Sequence, residues 1–81
     1  MARYYFHLQA SDGLFHDEEG QDLPTPEKAR ALAIEAAREL VASAIKTGRD
    51  LEVDAIVMED DSGQTKMLVP LADVIPPRFR G

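Results

Sequence analysis

Residues 2–10 alternate in character. Tyr4, Phe6, Leu8 and Ala10 fall on one side, and Arg3, Tyr5, His7 and Gln9 on the other, which is the period of a half-buried strand. Ser11-Asp12-Gly13 reads as a turn, and Leu14-Phe15-His16-Asp17 as a short second strand that closes a hairpin. Two registers are open. A two-residue Asp12-Gly13 turn sets Ala10 opposite Phe15 and keeps Phe15 on the face of Tyr4, Phe6 and Leu8. A three-residue loop sets Ala10 opposite Leu14 and turns Phe15 away. The first gathers the apolar side chains and is preferred, because a slip of one residue exchanges the faces.

After Asp17-Glu18-Glu19-Gly20 the period changes. Thr25 is placed to cap a helix, Pro26 sits at the first helical position, and Glu27 complements the positive end of the dipole. The helix is predicted over about Pro26 to Thr47. Ala33, Ala37, Leu40, Val41, Ala44 and Ile45 recur at spacings of three and four, with Glu35, Arg38, Glu39 and Lys46 on the opposite side. Gly48 ends it. Residues 51–59 form a third strand and residues 64–71 a fourth, joined by Asp60-Asp61-Ser62-Gly63 as a type I turn with a glycine bulge. That register puts Val53, Ala55 and Val57 on one face with Met67, Val69 and Leu71. It puts Glu52, Asp54, Ile56, Met58, Lys66, Leu68 and Pro70 on the other. Pro70 marks an edge or an end. The tail from Val74 to Gly81 reads as extended.

The element order is β-β-α-β-β. The fold class is therefore α+β, a four-stranded antiparallel sheet with one long helix packed on one face. Residues 1–76 make a single domain and residues 77–81 a short tail. The predicted core is Tyr4, Phe6, Leu8, Ala33, Ala37, Leu40, Val41, Val57 and Val69. One helix covers one face, so Tyr5, His7, Ile56, Met58 and Leu68 are expected on the open face as an interface.

Composition narrows the function. The chain has 81 residues, 44% of them hydrophobic, and no cysteine, so thiolate metal sites, disulfides and cysteine catalysis are excluded. A core this small yields only about 3–5 kcal/mol of net stability, which favours association, here a homodimer. No apolar run reaches the roughly 20 residues of a membrane span, and the opening Met1–His7 has no signal-peptide pattern. A cytoplasmic protein without a membrane partner is expected. The net charge of −6 opposes nucleic-acid binding, despite the aromatic first strand.

His7 and His16 are the only histidines, and the preferred register brings them to one face with Glu18 opposite His7. Two imidazoles and a carboxylate are weak candidates for a divalent metal. The competing reading, hydrogen bonding to carboxylates, is favoured, because structural zinc sites have four protein ligands. No resident metal or cofactor is expected. Asp12, Asp17, Glu18, Glu19 and Asp22 make an acidic hairpin end without the spacing of a calcium loop. Ser11, Ser43 and Ser62 lie outside any nucleophile motif, and the glycines form no phosphate-binding loop, so an enzyme is not expected. The chain reads as a module for protein–protein association. The alternative is a metal- or small-ligand-binding module using His7 and His16.

Several segments resemble a family of short proteins of unknown function common in rhizobia and related alphaproteobacteria. These are Arg3-Tyr4-Tyr5-Phe6-His7-Leu8, Asp17-Glu18-Glu19-Gly20 with Leu23-Pro24, the Ala/Arg-rich helix, and Glu59-Asp60-Asp61-Ser62-Gly63 with Val69-Pro70-Leu71. The resemblance spans nearly the whole chain. It implies a β-β-α-β-β domain in a bacterial cytosol, and no activity.

Overall fold

The helix forms where its end signals predict. In the computed structural model, which describes residues 1–79, α1 spans Pro26–Thr47. The Thr25 hydroxyl accepts the Lys28 N–H at 3.1 Å, and the chain reverses at Gly48. Five strands accompany it: β1 (Ala2–Ala10), β2 (Gly13–Phe15), β3 (Gln21–Leu23), β4 (Val53–Asp60) and β5 (Thr65–Pro70). The order across the antiparallel sheet is β2-β1-β4-β5, and β3 pairs with the other end of β1. Tyr4 pairs with both Gln21 of β3 and Asp60 of β4, so β3 and β2 occupy the same edge of β1. The expected four strands thus become five, since three residues are too short for alternation to reveal β3. Short 3-10 turns at Leu71–Val74 and Pro77–Phe79 replace the extended tail, whose residues 80–81 lie outside the described residues.

Both hairpins correct the sequence reading. In the first, Ala10 pairs with Gly13 and Leu8 with Phe15, so the turn is Ser11-Asp12 and neither expected register is adopted. Phe15 still shares the face of Leu8, as preferred, because the shift is by two positions. In the second, Gly63 does follow a turn closed by Asp60 and Gln64, as predicted. Beyond it, Glu59 pairs with Thr65 but Met58 with Met67, leaving Lys66 as an extra residue. That bulge reverses the relation of the two strands.

Ile56 and Met58, expected on the open face, therefore lie beneath α1 and are 1% and 0% exposed. They share that face with their partners Val69 and Met67, and with Leu8 and Phe6 across β1. Val57, expected beneath the helix, is buried on the opposite face, paired with His7 and Leu68. A second irregularity at Asp54 returns Val53 to the helix side opposite Ala10. The other predicted core residues hold. Tyr4, Ala33, Ala37 and Val69 are buried, with Phe6, Leu8, Leu40 and Val41 packed half-buried around them. Ala29, Ala33 and Ala37 form the fully buried stripe of α1, and their small side chains let the helix lie close to the sheet. The helix packs over β4, β5 and the Leu71–Val74 turn, not over β2.

Candidate functional site

The outer edge of β1 is paired at residues 8–10 by β2 and at residues 2–4 by β3, which leaves a gap between. A backbone N–H in such a gap needs an acceptor. Asp17 supplies it. One carboxylate oxygen accepts the Phe6 N–H at 3.1 Å, and the other accepts Glu19 and Gly20 N–H at 3.3 and 3.2 Å. The side chain thus substitutes for a missing strand carbonyl while closing its own turn. Gly20 completes the turn at φ 70, with a Cβ position that would lie 2.8 Å from the Tyr5 ring. Arg3 ties the end of this loop down, donating to the Glu19 carbonyl and pairing with Asp22 at 3.1 Å.

His7 lies next to this gap and is 5% exposed. Its Nδ1 accepts the Asp17 N–H at 2.9 Å. That partner assigns the lone pair to Nδ1 and the proton to Nε2, which stands 3.2 Å from Glu59 Oε1. Tyr5 stacks beside the ring at 6.3 Å between centroids, and His16 meets it edge-on at 5.0 Å. An imidazole that already accepts at one nitrogen and donates from the other has no free lone pair for a metal. Among the described residues, no three His, Cys, Asp or Glu side chains are arranged to hold a metal ion. Glu18, expected opposite His7, is exposed, and Glu59 takes that place.

Partial burial works to raise the pKa of Asp17, but the N–H groups of Phe6, Gly20 and Glu19 more than offset it. The carboxyl is held below its ordinary value of 3.8. Asp60 is also held low, first by the Ser62 hydroxyl, which donates at 2.6 Å. The Gln64 and Ser62 N–H groups and Lys66 add to this. Both carboxylates are thus used to shape turns.

A family model described as a domain of unknown function (DUF6894) matches residues 3–72. The chain belongs to this family. No curated protein and no solved structure matches it. In this DUF6894 domain, Tyr5, His7 and Leu68 share the sheet face away from α1, whereas Ile56 and Met58 do not reach it. Ala55, Val57 and Pro70 fill the middle of that face, and Leu68 is 53% exposed. His7 and His16 do meet, but as packed rings. Sequence reasoning missed Asp17 and Glu59 as the partners of His7. An Asp three residues before a Gly, the signature of a side-chain-closed turn, pointed to Asp17. Nothing local pointed to Glu59, which arrives from 52 residues away. No helix among the described residues of the DUF6894 domain is long and apolar enough to cross a membrane.

Proposed function

We propose that this DUF6894 domain acts by protein–protein association, as a homodimer joined through the sheet face that α1 leaves bare. The observation that carries this reading is Leu68, which projects 53% exposed from that face beside Pro70 and over the buried Val57 and Ala55. Tyr5 continues the strip onto β1. Polar groups border it at Gln9, Glu59 and Thr65, the layout of an apolar patch with a wet rim. A twofold axis through the patch sets it against itself, so a single substitution acts twice. On this reading the domain performs no chemistry of its own. A metal- or small-ligand module on His7 and His16 has less support, because both nitrogens of His7 already hold protein partners.

Leu68→Asp tests the proposal. The position is exposed, so the variant is expected to fold, and to melt like the wild type at a concentration where both are monomeric. Sedimentation at high micromolar concentration should give a dimer for the wild type and a monomer for the variant. A monomeric wild type, or a variant that remains dimeric, overturns the reading.

A further inference from the structure

On the helix side of the sheet, α1 covers β4 and β5 and leaves a trough along β2. The trough holds about 510 Å³, floored by Phe6 and Leu8 and walled by Phe15 and Leu40. Glu39 and Asp17 supply its charge. Phe15 is 59% exposed although it faces the same side as the core. The outer edge of β2 has no strand beside it among the described residues, so its backbone groups are open to pairing. The charge around this edge has one sign. Between Arg3 and Lys28 the chain carries Asp12, Asp17, Glu18, Glu19, Asp22 and Glu27 and no lysine or arginine. Arg3 is itself paired with Asp22.

From these features we infer that the β2 edge and its trough form a docking site for an extended, basic peptide segment of a partner protein. The segment adds as a strand along Gly13–Phe15 and places a large apolar side chain against Phe15 and Leu40. Lysine or arginine residues flanking that anchor meet the acidic border. Complementary charge supplies both specificity and steering, and makes the interaction salt-sensitive. The two open edges of the sheet differ here. β5 carries Lys66 and ends in Pro70, two devices that discourage strand addition, and β2 carries neither. This site lies on the opposite face from the association surface around Leu68, so it stands independently of the dimer.

The test is selection of random peptides of about 12 residues, displayed on phage, against the whole chain. Selected sequences are synthesised, and their binding is measured by fluorescence polarisation. Amide shifts in a nitrogen-15 spectrum locate the site. The expected result is a consensus with one large apolar residue flanked by lysine or arginine, and shifts at Gly13, Leu14, Phe15 and Leu40. Phe15→Ser and Glu39→Lys should each weaken binding by about tenfold or more, as removal of a central anchor or a steering charge does. Leu68→Asp should leave it unchanged, which separates this site from the dimer face. Absence of a consensus, an acidic consensus, shifts confined to the Leu68 face, or undiminished binding by Phe15→Ser overturns the inference.

Discussion

Ile56→Ala asks directly which face of β4 the helix covers. Ile56 is 1% exposed and packs with Ala33, Ala37, Val69 and Leu71. The substitution removes three carbons, worth about 2.4 kcal/mol at roughly 0.8 kcal/mol each. The neighbours cannot close the space fully, since alanines on α1 and strand residues on β5 have little reach. A cavity term adds about 1 kcal/mol, giving about 3–4 kcal/mol and lying within the range seen for such truncations. A domain of this size holds only about 3–5 kcal/mol in total, so the loss removes most of it. The midpoint of thermal unfolding, followed by circular dichroism, should fall by roughly 12–32 °C. Leu68→Ala serves as the comparison and should shift the midpoint by only a few degrees, measured at a concentration where the wild type is monomeric. If α1 covered Ala55 and Val57 instead, as the unbulged register requires, Ile56 would share the open face with Leu68 and both shifts would be small. An Ile56→Ala midpoint within about 3 °C of the wild type would refute the bulged register at Lys66.

Gly20→Ala should destabilise by about 1–3 kcal/mol, since alanine strains at φ 70 and its Cβ meets the Tyr5 ring at 2.8 Å. Chemical denaturation measures the loss, and an unchanged midpoint refutes the close approach. Asp17→Asn should lower stability at neutral pH. Because the folded carboxyl is held below 3.8, its contribution is complete above the unfolded value and disappears as pH falls through the lower folded one. Urea midpoints of wild type and variant should therefore converge in strong acid, and a gap that persists there would show that Asp17 acts without its charge.

Local signals were readable wherever one segment decides its own conformation. Thr25, Pro26 and Gly48 bound the helix in the sequence as they do in the structure, and Asp60 to Gly63 make the turn their residues demand. The faces of β4 were not readable. Ala55, Ile56, Val57 and Met58 are all buried, because β4 lies between β1 and β5 and both its faces are covered by side chains. A continuous apolar run carries no period, so its orientation hung on the register with β5, and one extra residue at Lys66 reversed it. The interface candidates divided along the same line. Tyr5, His7 and Leu68 sit on strands with alternation of their own, and Ile56 and Met58 do not.

The Asp17 turn joins these observations physically. A β2 strand of full length would extend past Phe15, pair with β1 through residues 5–7, and need no side chain to satisfy Phe6. Instead the chain leaves the sheet at His16, and one carboxylate with one imidazole takes over the work of the ladder. That exchange has two consequences. It spends His7 Nδ1 on holding the loop while Nε2 is engaged by Glu59 of β4, which argues against a catalytic or metal-binding role more strongly than any missing motif does. It also keeps β2 to three residues, so Phe15 stands at the end of a short open edge beside a trough whose far wall is Leu40 of the helix. Two of the residues that look like a reactive centre in the sequence, His7 and Asp17, are the means by which the fold closes the loop that ends that edge.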